Sequence, residues 1–150
     1  MPDSEHRRAD IDVAYRAMHF AVEQILKCGT SVIVESTYGR REQRRELEDV
    51  TASASAALFL VECQVPSDLA VARFKARPPG HPAIDLTASR VALLAERYPY
   101  RRSGLLLDTR ASIPACLTAI QTYLGEGKPI PRGEGADSGP GQGSWPGPYP

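Results

Sequence analysis

An α/β fold built on a parallel sheet is predicted by three observations. Three short apolar runs, residues 31–35, 57–63 and 105–108, have the length and the β-branched or aliphatic content of strands. Each run is nearly continuous, which suits strands covered on both faces. Between them apolar residues recur at helical spacing, and strands alternating with helices imply parallel pairing with helices on the sheet faces.

Each element has a local reason. In the first helix Ile11, Ala14, Tyr15, Met18, Ala21, Val22, Ile25 and Leu26 form one apolar stripe, with Asp10 as its cap, Lys27 in its last turn and Gly29 as its end. The run Ser31-Val32-Ile33-Val34-Glu35 follows as a strand. A polar, arginine-rich helix spans about 40–54, with Leu47, Val50 and Ala54 on its inner face. After the strand at 57–63, Pro66-Ser67-Asp68 opens a helix running to about Arg77. Residues 77–82 (RPPGHP) exclude helix and strand and form a loop. Asp85 caps a helix ending near Arg97, and Leu105-Leu106-Leu107-Asp108 is the third strand. Ser112 caps the last helix, which tolerates Pro114 in its first turn and ends near Gly125.

Composition narrows the functional classes. The chain has 150 residues, a length that suits one domain. Eighteen basic residues balance eighteen acidic ones, which excludes nucleic-acid binding by bulk charge while leaving a local basic patch open. The longest apolar run, Ala56 to Val61, is far below the ~18 residues of a membrane span. The first residues carry no secretory h-region. Cys28, Cys63 and Cys116 are odd in number, far apart and set among apolar residues, and they read as buried thiols of a reducing compartment. A soluble cytoplasmic protein without a membrane partner is the expectation. Of the 24 residues at 127–150, seven are Gly and six are Pro, too little apolar surface to offset the ordering entropy. That segment is expected to be a disordered tail, leaving residues 1–126 as the folded domain.

Ligands of parallel sheets bind beyond the carboxyl ends of the strands. That places Glu35-Ser36-Thr37, Cys63-Gln64 and Asp108-Thr109 on one edge. Arg40, Arg41, Arg44 and Arg45 follow the first strand. Arg44 and Arg45 have acidic residues four positions on, Glu48 and Asp49, whereas Arg40 and Arg41 stand at a helix start, where the macrodipole disfavours a cation by ~0.3–1 kcal/mol. A bound anion relieves that cost; a solvated charged helix face is the alternative. Arg73 and Arg77 share one helix face and flank the Pro-Gly loop, a pairing that a gripped phosphate explains, with solvated arginines covering Leu69 and Ala76 as the alternative. Glu35 ends a strand at the ligand edge, where a carboxylate holds Mg²⁺ through water, accepts a substrate proton, or faces solvent. Thr37 assists the metal or shapes the turn. His6, His19 and His81 have no metal-ligand spacing, so no protein-bound metal centre is predicted, and His19 reads as structural or solvated.

Taken together, several segments resemble the P-loop kinase-like ATPases, the AAA-domain family that includes predicted kinases and relatives of polynucleotide kinase, gluconate kinase and zeta toxin. The central match is Gly29-Thr30-Ser31-Val32-Ile33-Val34-Glu35-Ser36-Thr37-Tyr38 with Arg41 and Arg44, similar to the family's G-x-x-V-I-V-D-A-T and following arginines. Tyr15 to Leu26 resembles the preceding helix. Phe59-Leu60-Val61-Glu62-Cys63-Gln64-Val65-Pro66, with Arg73 and Arg77, is similar to the next strand and arginine lid. Leu106-Leu107-Asp108-Thr109 and the last helix resemble the closing strand and helix. The likeness covers about residues 12 to 125.

The resemblance implies a three-layer P-loop NTPase sheet, present here as an incomplete set of about three strands flanked by helices. It implies ATP and Mg²⁺ as cofactors and phosphoryl transfer as the chemistry. Glu35 stands where the family has an acidic residue near metal or substrate, as Glu in place of the more usual Asp. Arg41 and Arg44 match arginines that approach phosphate or substrate. Arg73 and Arg77 match lid arginines that stabilise the transferring phosphoryl group. Catalytic roles thus fall to Glu35, Arg73 and Arg77, and phosphate or substrate binding to Thr37, Arg40, Arg41 and Arg44. The family's phosphate loop and first strand precede the first helix, and the sequence contains no G-x-x-x-x-G-K-[ST]; its single Gly-Lys pair, Gly127-Lys128, is followed by Pro129. In the family's 2-3-1-4-5 sheet order the strands kept here correspond to 3, 4 and 5, so the central one is missing.

Three functional readings follow. The first is the carboxyl-terminal part of an ATP-dependent kinase, binding nucleotide weakly and transferring phosphate poorly or not at all alone, with a partner supplying the missing strand and P-loop. Its acceptor is a small molecule or a polynucleotide. The second is a non-catalytic interaction module retaining the fold remnant. The third is binding of a phosphorylated small molecule on the arginine edge.

Overall fold

The computed structural model describes residues 4–78 and 86–130. They form α1 (Ser4–Lys27), α2 (Arg41–Ser53), β1 (Val61–Gln64), α3 (Ser67–Ala76), α4 (Ala88–Arg97), β2 (Leu105–Asp108) and α5 (Ile113–Gly125). The chain is α/β, with five helices and a short parallel sheet among the described residues. It divides into two compact units, one reaching to Leu58 and including Ile130, the other running from Phe59 to Pro129.

In the first unit α1 packs on α2. Val22 is buried, and Ile11, Tyr15, Met18 and Leu26 are half-buried, so most of the predicted stripe does face inward. Ala14, Ala21 and Ile25 are exposed, as are Val13 and Phe20 on the other side. The helix starts at Ser4, which corrects Asp10 as its cap: residues 4–10 contain no Gly or Pro to stop it, and Asp10 lies inside. Its end follows expectation. Gly29 adopts φ +75°, its N–H donates to the Leu26 carbonyl at 2.9 Å, and the Thr30 N–H reaches back to the Ile25 carbonyl at 3.3 Å. This is a Schellman closure, and it needs a residue that tolerates positive φ. In α2, Leu47 and Val50 are half-buried and Thr51 is buried.

Residues 31–35 correct the first of the three expected strands: no regular element forms there. Val32 and Val34 are half-buried while Ile33 is 97% exposed, so the side chains alternate as in a strand. What is missing is a ladder. Among the described residues no strand pairs with this segment, and without inter-strand bonds β-branched content alone does not make a strand. Glu35 accordingly ends an exposed extended segment and not a buried strand.

The second unit holds the sheet. β1 and β2 run parallel, in the register Val61–Leu105, Glu62–Leu106, Cys63–Leu107 and Gln64–Asp108. The ladder extends at both ends, through Leu105 N–H to the Leu60 carbonyl and Thr109 N–H to the Gln64 carbonyl, both at 2.9 Å. Gly104 permits the first of these. A Cβ there would overlap the Leu60 carbonyl oxygen and side chain. Between the strands, α3 packs against α4. Thr87 caps α4 by accepting from Arg90 N–H at 3.2 Å; the expected cap, Asp85, and most of the loop at 77–82 lie outside the described residues. Ser112 caps α5 as predicted, accepting from Ala115 N–H at 3.4 Å, with Pro114 in the first turn. α5 packs on β2, and Tyr123 sets its ring edge-on to Phe59 at 5.7 Å.

Two further expectations change. Cys28 and Cys63 are exposed and Cys116 is half-buried, all three as free thiols. Alternation in β1 explains Cys63: Glu62 takes the inward side, so its neighbour faces out. Residues 131–150 of the predicted tail lie outside the described residues, but its beginning is placed. Ile130 is buried, and its N–H donates to the Leu58 carbonyl at 2.9 Å. No described helix is long and apolar enough to cross a membrane.

Candidate functional site

The best-organised polar region of the first unit is built where the segment 35–40 passes over α1 and enters α2. Tyr15 and His19, one turn apart on α1, lie on the same side as buried Val22. The Tyr15 hydroxyl accepts two hydrogen bonds, from Ser36 Oγ at 2.7 Å and from Tyr38 N–H at 3.0 Å. His19 is 4% exposed. Its Nδ1 lies 3.2 Å from Glu46 Oε2 on α2, and its Nε2 lies 3.1 Å from the Tyr38 hydroxyl. A carboxylate only accepts, so Nδ1 carries a hydrogen toward Glu46, and in the neutral ring Nε2 accepts from Tyr38. The Tyr38 ring stacks on His19 at 5.9 Å and meets Tyr15 edge-on at 5.2 Å.

These contacts hold Tyr38 at φ +46°, a conformation costing roughly 1–3 kcal/mol for a residue with a Cβ. Burial, reinforced by the neighbouring Tyr15, pushes the Tyr38 phenol well above its ordinary range. Tyr38 is therefore a held hydroxyl and not an ionised one. The turn it makes directs the chain into α2, and Arg44 Nη1 donates to the Tyr38 carbonyl at 2.8 Å.

A cleft of about 490 Å³ opens beside this cluster, lined by Asp12, Tyr15, Arg16, Arg40, Glu42, Gln43 and Glu46. Arg40, at the N-cap of α2, forms an ion pair with Asp12 of α1. Buried Gln43, with its amide oxygen turned to the guanidinium, accepts from Arg40 Nε at 3.2 Å and Nη2 at 2.9 Å. The partner of Arg40 thus comes from another helix. A phosphate drawn to Arg40 has to displace Asp12, and three carboxylates against two guanidinium groups make the cleft no anion funnel.

The predicted residues separate between the units. Glu35, Thr37, Arg40, Arg41 and Arg44 share one segment of the first, with Glu35 and Thr37 exposed and the three arginines half-buried. Arg73 and Arg77 belong to the second. Arg73 on α3 donates to Thr109 Oγ1 at 3.1 Å and to the Thr109 carbonyl at 2.6 Å, just past β2. The Arg77 guanidinium lies 4.0 Å over the Phe74 ring. Among the described residues no three His, Cys, Asp or Glu side chains converge as a metal site. Glu35 offers a single carboxylate at an exposed position. These residues do not by themselves fit Mg-ATP, and no phosphoryl-transfer step is assignable to them alone.

Sequence reasoning missed the carriers of this geometry: Asp12, Tyr15, Tyr38, Gln43 and Glu46. Only the Tyr15–His19 spacing was a visible signal. It also missed Glu62, a buried carboxylate within an apolar strand. Glu62 accepts from the Arg101 and Arg102 amides at 2.7 Å each, with Arg102 at φ +58°. Beside it, burial first and the Glu62 charge second raise the Tyr100 phenol.

The family model described as an AAA domain matches residues 1–100, from α1 through α4. The chain belongs to the AAA-domain family. That family is of the nucleotide-binding, kinase-like kind, which agrees with the α/β architecture and the parallel β1–β2 pair of this AAA-domain chain. The match contains Glu35, Thr37 and every arginine of the predicted site; β2 and α5 lie beyond it. No curated protein and no solved structure matches the chain.

Proposed function

We propose that this AAA-domain chain serves ATP-dependent phosphoryl transfer, carrying the arginine-bearing part of a kinase site that is completed by a strand and Walker A loop supplied by another segment or chain. The carrying observation is the family match across residues 1–100, which takes in the Glu35–Arg44 segment and both lid-type arginines. Glu35 and Thr37 are exposed and accessible to a metal–nucleotide complex. Arg41 and Arg44 stand in the first turn of α2, close behind them. Arg73 and Arg77 serve as the transition-state pair. The acceptor, a small molecule or a polynucleotide end, is left open by this chemistry, because fold does not fix substrate.

The test is calorimetry with Mg-ATP on the chain mixed with an amino-terminal fragment carrying a strand and G-x-x-x-x-G-K-[ST]. Heat of binding is expected in the mixture, reduced by Arg41→Ala and Arg73→Ala. A mixture that binds no nucleotide while the chain stays folded ends this reading.

One observation favours a second reading, a non-catalytic interaction module. Arg40 is engaged by Asp12 and Gln43, and Arg73 by Thr109, so part of the arginine set already has structural work. On this reading Arg41→Ala and Arg73→Ala leave activity in the cell unchanged.

A further inference from the structure

We propose that the Tyr100 hydroxyl is a removable plug on the open edge of β1, standing in for one residue of a parallel strand that adds there once the ring swings away. In a strand the N–H and C=O of one residue point to the same side, and successive residues alternate. β2 takes the groups of Leu60, Glu62 and Gln64. Leu105 N–H bonds the Leu60 carbonyl and Thr109 N–H the Gln64 carbonyl, both at 2.9 Å, in a register that pairs Cys63 with Leu107. The backbone groups of Val61, Cys63 and Val65 therefore face the other edge. Among the described residues the sheet has two strands, so no strand lies on that edge.

Tyr100 fills it instead. Its hydroxyl donates to the Cys63 carbonyl at 3.3 Å and accepts from the Val65 N–H. Burial above all raises the phenol, and the Val65 amide opposes that rise. A hydroxyl both donates and accepts, so one oxygen does what the N–H and C=O of a peptide residue do. The pair it satisfies also fixes a direction. A residue of a parallel neighbour bonds the carbonyl of one residue and the amide two further on, whereas a residue of an antiparallel neighbour bonds both groups of a single residue. Cys63 and Val65 present the parallel pattern, the one β2 uses on the opposite edge. The turn that carries the ring is anchored separately. The Arg101 and Arg102 amides bond the Glu62 carboxylate at 2.7 Å each, the Tyr100 N–H bonds the Tyr98 carbonyl at 2.9 Å, and the Tyr98 ring meets Tyr100 edge-on at 4.7 Å. With the backbone so held, a side-chain rotation bares the Cys63 and Val65 groups. An unpaired edge is a template for wrong pairing, and the ring closes it in the chain alone. The strand assigned to this edge is the one that leads into the Walker A loop. That identity rests on the kinase reading; the plug does not. Ring and strand need the same two backbone groups, so they compete.

Amide exchange of the full chain, followed by NMR, tests the plug. In Tyr100→Phe, which keeps the ring beside Tyr98, Val65 is expected to exchange about tenfold faster or more, with Thr109 on the β2 side unchanged. Unaltered exchange at Val65 overturns the plug, as does an equal loss of protection at Thr109, the mark of a sheet loosened throughout. Competition is read by titrating in an amino-terminal fragment carrying a strand and G-x-x-x-x-G-K-[ST], with no nucleotide present. Tyr100→Phe is expected to bind it roughly fivefold more tightly than the unaltered chain, with Val65 protected again in the complex. Equal affinity, or binding to neither chain, overturns the docking role of the edge. A fragment that docks and protects Val65 but gives no heat with Mg-ATP ends the nucleotide reading and leaves the plug standing.

Discussion

His19 joins three segments of the first unit: its own helix, the turn at Tyr38 and the first half of α2 at Glu46. Removing the imidazole leaves a cavity and two polar groups without their partner. His19→Ala is expected to cost roughly 2–4 kcal/mol of stability, read from urea unfolding. A loss below about 0.5 kcal/mol, the scale of a surface substitution, would sink this account. The Tyr38 phenol gives a pH test. Its folded value lies above the ordinary 10.0, so the proton is held more tightly in the folded chain than in the unfolded one. Its contribution is fully present below pH 10 and is lost as the pH rises through the raised folded value. Thermal midpoints are expected to fall above pH 10, less steeply in Tyr38→Phe. Tyr100 is raised as well, so part of the fall persists in that variant. None of this network was readable in advance beyond the Tyr15–His19 spacing. Glu46 stands 27 residues beyond His19, and nothing local links them.

Local signals located β2 and α5 to the residue. Leu105–Asp108 is a short aliphatic run behind Gly104, and α5 has a serine cap and an early proline, cues that act within a few positions. Residues 31–35 carried an equally good strand composition and formed none, because a strand is a property of two segments and its partner is not written in its own residues. The start of α1 was misplaced for the opposite reason: Asp10 is a capable cap, but residues before it continue the helix equally well. Gly104 shows how sharply one position sets β2. With the Leu60 carbonyl in the way of any side chain, Gly104→Ala is expected to destabilise by about 1–3 kcal/mol and to break the Leu105–Leu60 bond. Faster amide exchange at Leu105 is the direct check; unchanged protection there would contradict it.

At the scale of the molecule, balanced charge meets exposed apolar side chains. The chain carries no formal net charge, its isoelectric point is near 6.8, and Phe20, Ile33, Ile113 and Leu117 are exposed. With little electrostatic repulsion between molecules, colloidal stability is expected to be lowest near neutral pH and to improve on moving away in either direction. Light scattering against pH checks this; a flat profile would contradict it. The α/β class and the kinase-like family were legible because alternating apolar runs and the 29–44 segment are contiguous features, and the family match over residues 1–100 includes that segment. How the predicted arginines are engaged was not legible, because their partners Asp12 and Thr109 come from distant parts of the chain.

The bond between Leu58 and Ile130 has a topological consequence. The backbone departs from the first unit at one of these residues and rejoins it at the other, 2.9 Å away from carbonyl oxygen to amide nitrogen. Everything between is therefore an insert whose two ends meet, the arrangement most tolerant of excision or transplantation. Splicing a few glycines from 58 to 130 is expected to close the host without stretching it.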